Sequence, residues 1–366
     1  MTKGTSVVVA MSGGVDSSVA AALLVEQGYN VTGVMLRLWS EPGKEESNRC
    51  CTPDAMAGAR RVAAKLGIPF YVLNSQDLFH NVVVQSFMDG YRNGITPNPC
   101  ILCNQHIRWG FMYETARELG AEFMATGHYA QVNPKPDGSV ELHRGLDPDK
   151  DQSYVMSVLP QEKLRHTLFP VGGMAKPEVR EHARRFGLTV ADRADSQDLC
   201  FLAGQDYRGF LARHVPEVTK PGKIVNADGR LVGEHQGLAF YTIGQRKGLG
   251  VAASRPLYVL EKTLATNELV VGDETNLGRN SLTAGGMNWI AGAAPAAPFE
   301  ADVKIRYRAA LAPAVVIPQS EDQISIHFKN SMRDITVGQR VVIYNGEVVL
   351  GGGTIRSSFN RFEEPA

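Results

Sequence analysis

Short apolar runs rich in β-branched residues alternate with stretches of helical hydrophobic period from residue 5 to about residue 130. The apolar runs are "TSVVVAM", "NVTGVMLRLW", "PFYVL" and "EFMATG"; the helical stretches include "SVAAALLVEQG", "PDAMAGARRVAAKLG" and "QHIRWGFMYETARELG". This alternation predicts an α/β fold, with a parallel sheet covered by helices on both faces. Ligands of such sheets bind beyond the carboxyl ends of the strands, where residues 12–18 and 126–129 fall.

Two further segments are predicted: a rigid loop at residues 86–104 and a mainly helical region from residue 151 to about residue 203. Pro97 and Pro99 forbid a regular helix, so we expect the chain to stay extended until Asn104 caps the next helix. Residues 151 to about 203 are expected to be mainly helical. Pro177 is placed for the first turn of the helix in "KPEVREHARRFGL".

The second half of the chain changes to strands. After Pro221, short strands are punctuated by glycine, with a hairpin turn at residues 227–229. The last ninety residues alternate apolar and polar positions, and Asn345-Gly346 indicates a type I′ hairpin. We therefore expect three domains: a catalytic α/β domain (1–205), a small mixed or β central domain (206–275) and a C-terminal β-barrel or sandwich (276–366).

Composition and charge narrow the class of protein. The 366 residues include 38 Lys and Arg against 38 Asp and Glu, so a polyanionic partner would have to be recognised by a local patch rather than by net charge. The chain opens without a signal-peptide pattern, and no apolar stretch approaches the length of a membrane span. We expect a cytoplasmic protein without membrane contact.

The loop "SGGVDSS" follows the first predicted strand and precedes the first predicted helix. Such a turn aims backbone N–H groups and the positive end of the helix dipole at one place, which suits a phosphate. The loop lacks the lysine of a Walker loop, and this favours a pyrophosphate that leaves over a transferred γ-phosphate. The simpler alternative is a connecting turn in which Asp16, Ser17 and Ser18 are ordinary first-turn residues.

Five cysteines, at positions 50, 51, 100, 103 and 200, do not form the even set of a secreted disulfide framework. We expect Cys103 immediately before a helix, where the dipole favours its thiolate, while Cys200 could meet it only through the fold. The alternatives are that both pack as small hydrophobic residues, or that Cys100 and Cys103 are half of a zinc site. Cys50 and Cys51 are expected to be structural.

Several motifs in order resemble known families. "SGGVDSS" resembles the PP-loop of ATP pyrophosphatases, which adenylate an oxygen and release pyrophosphate. "TPNPCILCN", "ATGHYA", "GLDPDKDQSYVM", "LFPVGGMAKPEVR", "DSQDLCF", "PGKIV", "GEHQGLAFYTIGQRKGLG" and "YNGEVVLGGGTI" together resemble the tRNA-specific 2-thiouridylase family over nearly the whole chain. The resemblance implies a PP-loop domain, a central domain and a β-barrel. It also implies ATP-dependent 2-thiolation of uridine 34 in a tRNA anticodon.

The resemblance assigns roles to the cysteines. In that family one cysteine is the nucleophile and another carries a persulfide, and by motif these are Cys103 and Cys200. Many members have an aspartate, a proposed general base, where this chain has Cys100, so the role of Cys100 stays open. His128 or a water could take the proton instead. Alternatively, Cys100, Cys103 and Cys200 could be three thiolate ligands of an iron–sulfur cluster.

The resemblance also implies substrates, partners and contact residues. ATP with Mg²⁺ would adenylate uracil O2, and the implied ATP contacts are Ala10, Met11, Ser12, Gly13, Gly14, Val15, Asp16, Ser17, Ser18, Leu36, Gly127 and His128. The implied tRNA contacts are Asn98, Pro99, Cys100, Lys150, Asp151, Gln152, Arg306 and Tyr307. The implied partners are anticodon stem-loops of lysine, glutamate and glutamine tRNAs, and a sulfur-relay or cysteine desulfurase donor.

Two other functions are compatible with the motifs. One is a different PP-loop adenylating enzyme, such as an amidating synthetase, which would not require Cys103 and Cys200. The other is a nucleotide-regulated tRNA-binding protein without chemistry. Pyrophosphate release in the presence of tRNA distinguishes these possible functions from one another.

Overall fold

The computed structural model describes residues 4–44, 52–193, 199–202 and 204–360; Cys50 and Cys51, expected to be structural, lie outside them. In chain order the α-helices are α1 (Val15–Glu26), α2 (Pro53–Leu66), α3 (Gln76–Phe79), α4 (Gln85–Arg92), α5 (Pro99–Leu102), α6 (Tyr113–Glu118), α7 (Ser153–Met156), α8 (Gln161–Arg165), α9 (Lys176–Arg185) and α10 (Tyr207–His214). The π-helical segments His80–Val84 and Cys103–Met112 continue α3 and α5.

The strands fall into three sheets. In chain order they are β1 (Ser6–Ala10), β2 (Asn30–Arg37), β3 (Phe70–Asn74), β4 (Phe123–Ala125), β5 (Ala130–Pro134), β6 (Val140–Arg144), β7 (Thr167–Leu168), β8 (Gly222–Asn226), β9 (Leu231–His235), β10 (Tyr258–Thr263), β11 (Glu268–Gly272), β12 (Arg279–Trp289), β13 (Phe299–Lys304), β14 (Ala312–Pro318), β15 (Gln323–Met332), β16 (Arg340–Asn345) and β17 (Val348–Phe359).

The first sheet has the parallel arrangement that the sequence predicts. Its strand order is β3-β2-β1-β4-β7, and each neighbouring pair is parallel. Val7 and Val9 of the central strand pack with residues of α1, α2 and α9 in one apolar cluster. Val8 points the other way and packs with Trp109 and neighbours in a second cluster. A strand buried on both faces requires the unbroken apolar run seen in "SVVVA".

The segment after Pro97 differs from the expectation. The helix begins at Pro99 rather than near Asn104, and Asn98 is the cap, accepting a hydrogen bond from the Ile101 N–H at 3.4 Å. Pro99 sits in the first turn, where its missing N–H costs nothing, so it starts the helix instead of forbidding it. Asn104 is buried inside the π-helical segment. Cys103 therefore lies beyond the first turn, where the stabilising effect of the dipole has largely fallen off.

The expectation for residues 151 to about 203 is confirmed only in part. Helix α9 forms with Pro177 in its first turn, as predicted. The short helices α7 and α8 precede it, but Thr167–Leu168 is a strand that pairs with β4. Two residues are too few to give a strand period in the sequence.

The second half of the described chain is built of strands, as predicted. The central sheet has the order β10-β11-β8-β9, and the turn between β8 and β9 is the hairpin expected at residues 227–229. The C-terminal antiparallel strands run β12-β15-β14-β13-β16-β17, and β12 also pairs with β17, which closes a barrel. Asn345 still pairs with Val348, so Gly346 and Glu347 form the turn between β16 and β17, and of these two only Gly346 has positive φ, at +57°. The hairpin is confirmed, but the type I′ turn expected at Asn345-Gly346 is wrong, because that type requires positive φ at both central residues.

One hairpin joins the parallel-sheet part of the chain to the barrel. Strands β5 and β6 form a hairpin, and Val348 and Val349 of β17 pair with His143 and Leu142 of β6. The barrel and this hairpin thus form one continuous sheet. No local pattern in the sequence predicts this pairing, because its partners lie about two hundred residues apart in the chain.

The turn before α9 approaches β5 so closely that only glycine fits. A Cβ on Gly172 would lie 1.7 Å from the carbonyl oxygen of Ala130, whereas a Cβ on Gly173 would meet only the Gln131 Oε1 atom at 3.8 Å. We predict that Gly172→Ala lowers the free energy of unfolding by about 1–3 kcal/mol or more, because backbone must move. Gly173→Ala should change it by less than about 0.5 kcal/mol. Urea unfolding of both variants measures this, and equal values would contradict the packing described.

Candidate active site

The loop at residues 12–18 joins the carboxyl end of β1 to the N-terminus of α1. Gly13 has φ of +77°, and a Cβ there would lie 2.4 Å from the carbonyl oxygen of Ala55. Gly14 is the N-cap residue of α1, and no side chain caps the helix. The N-terminal N–H groups and the positive end of the dipole therefore face the loop, as an anion site requires.

Serine hydroxyls fix the shape of this loop. The Ser17 Oγ accepts from the Ser12 N–H at 3.2 Å and donates to the Gly14 carbonyl at 3.2 Å. The Ser18 Oγ donates to the same carbonyl at 2.8 Å. These bonds hold the backbone in place before any ligand arrives.

A second turn, residues 126–129, lies against the start of α1. A Cβ on Gly127 would be 2.6 Å from the backbone nitrogen of Ser17, so a side chain cannot be accommodated without moving backbone. The tyrosine that follows, Tyr129, donates its hydroxyl to Asp16 Oδ1 at 2.8 Å. The two motifs expected at the carboxyl edge of the sheet therefore meet.

Lys176 is the residue of this site that the sequence analysis did not assign. Its Nζ lies 2.7 and 2.8 Å from the two carboxylate oxygens of Asp16 and 5.7 Å from the centre of the Tyr129 ring. The side chain is largely buried. The lysine that the loop itself lacks is thus supplied by the first turn of α9. Its position in "MAKPEVR", before a first-turn proline, is the signal that could have located it.

His128 is buried and held by hydrogen bonds on both ring nitrogens. The Arg108 Nη1 donates to Nε2 at 3.1 Å, so Nδ1 carries the proton and donates to the Thr126 Oγ1 at 2.7 Å. Burial, and secondly the Arg108 charge, hold the pKa of His128 well below its ordinary value. This environment disfavours His128 as the proton acceptor that the sequence analysis considered.

The remaining expected ATP residues line the same edge. Ala10 ends β1, and the Met11 N–H donates to the Val34 carbonyl at 2.8 Å while its side chain is buried. Val15 is also buried, and Leu36 lies near the carboxyl end of β2. The side chains of Met11 and Val15 are therefore packing groups in this structure, and their backbone is what faces the loop.

Two of the three expected cysteines share one apolar cluster. Cys103 is buried in it, and Cys200, on the 3-10 turn Cys200–Leu202, packs against it half-buried. Aromatic rings form much of this cluster, which includes Phe79, Phe87, Phe201 and Phe210. Leu36, at the carboxyl end of β2, borders it as well. The cysteine pair and the glycine-rich loop thus lie at the same edge of the parallel sheet.

Cys100 differs from that pair in its exposure. It is exposed on α5, whereas Cys103 is buried one turn later. Within the described ranges, no group of three or more His, Cys, Asp or Glu side chains is spaced to hold a metal ion. The described residues thus give no support to Cys100, Cys103 and Cys200 as ligands of an iron–sulfur cluster, and that role stays a prediction.

Several of the expected tRNA contacts converge on Tyr154. The Asn98 side chain hydrogen-bonds Tyr154, and the ring of Tyr307 meets that of Tyr154 edge-on with centroids 6.0 Å apart. The pKa of Tyr307 is raised by burial first, and then by the nearby Asp151 and Cys100. Asn98, Tyr154 and Tyr307, which lie up to about two hundred positions apart in the chain, are therefore neighbours beside α5.

Other expected tRNA contacts are engaged inside the protein. Asp151 is buried, and its Oδ1 accepts from the Gly145 and Ser153 N–H groups at 3.0 Å each. Gln152 accepts from the Tyr129 N–H at 3.0 Å. The side chains of Asp151 and Gln152 therefore hold the connection between β6 and α7 in position.

Arg306, Pro99 and Lys150 occupy different settings. Arg306 pairs with Asp334 at 2.9 Å and also donates to Thr336, so it lies within the fold rather than on a solvated face. Pro99 is buried in the first turn of α5. Lys150 lines a cavity of about 410 Å³ next to Lys176. Of these three, only Lys150 lines a cavity together with Lys176, the residue that pairs with Asp16.

Comparison with known proteins gives matches along most of the chain. Three family models match in order: a tRNA methyl transferase HUP domain at residues 5–204, a tRNA methyl transferase PRC-barrel domain at 208–273 and an aminomethyltransferase β-barrel domain at 279–355. The tRNA-specific 2-thiouridylase MnmA of Carboxydothermus hydrogenoformans is 47% identical over 95% of this chain and 97% of its own length. That of Symbiobacterium thermophilum is 45% identical over 97% of this chain and 93% of its own.

This chain belongs to the tRNA-specific 2-thiouridylase family. These two relatives match at least 95% of this chain and at least 93% of their own length, so the similarity extends over all three sheets of the described residues. No helix within the described part of this thiouridylase homologue is long and apolar enough to cross a membrane.

The buried setting of His128 in this family member leads to a pH prediction. Because its folded-state pKa is depressed, the imidazole should stay neutral as the pH falls through about 6.5, the ordinary value that applies in the unfolded chain. By linkage, the unfolded chain then binds a proton that the folded chain does not, so this site removes stability as the pH falls below about 6.5. NMR titration, with His128→Gln to assign the resonance, checks this. A resonance that moves with a midpoint near 6.5 would contradict the assigned hydrogen bonds.

Proposed function

We propose that this protein catalyses the ATP-dependent 2-thiolation of uridine 34 in tRNA anticodons. The observation that carries the proposal is the shared cluster of Cys103 and Cys200 at the sheet edge where the glycine-rich loop ends. Full-length similarity to 2-thiouridylases supports the same substrate. An amidating synthetase would have no use for two cysteines at this place.

In the first step, the uracil O2 attacks the α-phosphorus of ATP and pyrophosphate leaves. Residues 12–18 and the N-terminus of α1 would cradle the phosphates. Lys176 would supply the positive charge that the loop lacks. Mg²⁺ is commonly held by one or two carboxylates together with substrate phosphates, and Asp16 fits that role; the ion would neutralise developing charge.

In the second step, sulfur replaces the adenylated oxygen. The terminal sulfur of a Cys200 persulfide attacks C2, and the C2–O bond breaks with departure of AMP. The Cys103 thiolate then attacks the Cys200 sulfur, which breaks the sulfur–sulfur bond and leaves 2-thiouridine. The two cysteines end as a disulfide, so the transferred sulfur gains the two electrons that the thiols lose, and a reductant must reopen the pair. In a second version, the Cys103 thiolate first attacks the Cys200 persulfide, which forms the Cys103–Cys200 disulfide and releases hydrosulfide, and the hydrosulfide then attacks C2 and displaces AMP.

The base must be taken from its stack to reach these cysteines, since RNA loops are recognised through splayed bases. We place its entry beside Tyr307, which is partly exposed and stands near Cys100. Aromatic stacking on Tyr307 and capping of α5 by Asn98 would together define the path. The choice among lysine, glutamate and glutamine tRNAs, and the nature of the sulfur donor, remain predictions.

The cysteine roles are tested by three alanine variants, because alanine suits buried apolar surroundings better than serine. We predict that Cys103→Ala and Cys200→Ala lower 2-thiouridine formation by about 100-fold or more, the usual scale for loss of a reacting group. Cys100→Ala, the matched control on the same helical run, should stay within about tenfold of the wild type. Mass spectrometry of digested unmodified tRNA, incubated with ATP, Mg²⁺ and a persulfide donor, measures the product.

Further measurements distinguish the persulfide mechanism from an iron–sulfur mechanism and from another adenylating enzyme. Free sulfide should restore Cys200→Ala, since hydrosulfide can attack the adenylated C2 without a persulfide. Iron content recorded alongside should not correlate with activity. Pyrophosphate release without thiouridine from any preparation would reject the thiolation and favour another adenylating enzyme.

Lys176 offers an independent test of the nucleotide site. Lys176→Met should weaken ATP binding by about tenfold or more, since a charge-assisted contact is lost and the Asp16 carboxylate is left beside the phosphates. Lys176→Arg should retain part of the affinity. Lys65→Met, which removes an exposed lysine that bonds the Gly187 carbonyl, is the control. Calorimetry with ATP measures all three, and an unchanged dissociation constant in Lys176→Met would contradict the assignment.

A further inference from the structure

A cavity of about 320 Å³ lies where three parts of the chain meet, away from the glycine-rich loop. Thr96 reaches it from the segment before α5, Lys262 from β10 of the central sheet, and Thr336 from the connection between β15 and β16. A cavity of this size has room for roughly ten water volumes, and therefore for a small oxyanion with its hydration or its attached group.

Two cationic nitrogens near this cavity are buried without a hydrogen-bond partner in the described structure: Lys262 Nζ and Arg306 Nε. Burial alone lowers the pKa of Lys262 to about 8, with no acidic group offsetting the cost. The other nitrogens of Arg306 bond Asp334, Thr336 and Ile243, and the last two of these residues line the cavity. Buried polar groups are normally paired, and Arg306 already has Asp334, so it is the Lys262 ammonium that indicates a missing anionic partner.

The side chains that line the cavity carry mainly positive charge. Among the described residues that form it, Lys262, Arg279 and Arg333 are basic and Glu261 is acidic. Glu261 is exposed and precedes Lys262 on β10. Arg333 lies over the Tyr258 ring at 4.9 Å, which leaves part of its guanidinium edge for other contacts. The flexible stem of Lys262 allows its ammonium to turn towards a ligand in the cavity.

We propose that this cavity binds a phosphate group, held by Lys262 together with Arg279 and Arg333. The group could belong to an RNA backbone or be free inorganic phosphate, and the chemistry of recognition is the same in both cases. The site does not depend on the thiolation chemistry, because none of its residues lies at the glycine-rich loop or among the cysteines.

The cavity is mechanically connected to the cysteine-bearing helix. Gln339 donates to the Thr96 carbonyl at 2.9 Å and to the Pro97 carbonyl at 3.3 Å. Gly338 faces Ile95 so closely that a Cβ would lie 1.9 Å from its Cγ2 atom. A bound phosphate would therefore hold the barrel and the central sheet against the segment that leads into Asn98 and α5.

Thermal unfolding of the full chain in inorganic phosphate, at constant ionic strength with chloride as the reference, tests the site. Phosphate should stabilise the wild type and Lys247→Met, an exposed lysine variant of the central region, but stabilise Lys262→Met much less. We expect at least about tenfold weaker phosphate binding in Lys262→Met. Both variants keep the glycine-rich loop, so a difference between them in stabilisation by phosphate is due to the cavity. Lys262→Met removes an unpaired buried charge and should fold; Arg279→Gln provides a second variant.

An anticodon stem-loop RNA distinguishes the two sources of phosphate. If the RNA backbone fills the site, Lys262→Met should weaken RNA binding and inorganic phosphate should compete with the RNA. If free phosphate fills it, RNA affinity should be equal in Lys262→Met and Lys247→Met. The proposal is overturned if phosphate stabilises the wild type no more than chloride does, or stabilises Lys262→Met and Arg279→Gln as much as Lys247→Met.

Discussion

The Asp16 carboxylate joins three segments that are far apart in the chain. It stands in the first turn of α1, accepts the hydroxyl of Tyr129 from the neighbouring turn, and pairs with Lys176 at the start of α9. A carboxylate near a helix N-terminus is stabilised by the dipole as well as by its partners. The glycine-rich loop, the 126–129 turn and α9 are therefore fixed relative to one another. The proposed nucleotide chemistry depends on this arrangement.

A second constraint connects that site to the rest of the molecule. The β5–β6 hairpin leaves the parallel sheet just after Tyr129 and pairs with β17, so the barrel is hydrogen-bonded to the same segment that touches Asp16. Tyr154 extends the connection by donating its hydroxyl to the Arg340 carbonyl at 2.7 Å. The barrel thus contributes Tyr307 to the surface beside α5 at a defined position, which a flexible tether could not do.

The sequence predicted what local patterns encode. Periodicity located the parallel sheet, the helix at Pro177 and the strand-rich second half, because burial on one or both faces determines which residues each element can use. The predicted start of the helix at Asn104 is wrong. Asn98 caps the helix instead, because a proline in the first turn does not break a helix. Periodicity also missed Lys176 and the β5–β6 pairing with the barrel, because both depend on partners more than a hundred residues away. The cysteine roles came from motif resemblance, and the fold adds that Cys103 and Cys200 share a cluster that Cys100 does not enter.

The central claim is that Cys103 and Cys200 act as a pair that is oxidised when sulfur is transferred. Single-turnover reaction of persulfide-loaded protein with ATP and unmodified anticodon stem-loop, followed by alkylation and non-reducing peptide mapping, tests it most directly. The account predicts one Cys103–Cys200 disulfide for each 2-thiouridine formed, with AMP and pyrophosphate released in equal amounts. Formation of 2-thiouridine while both cysteines remain alkylatable thiols would contradict it.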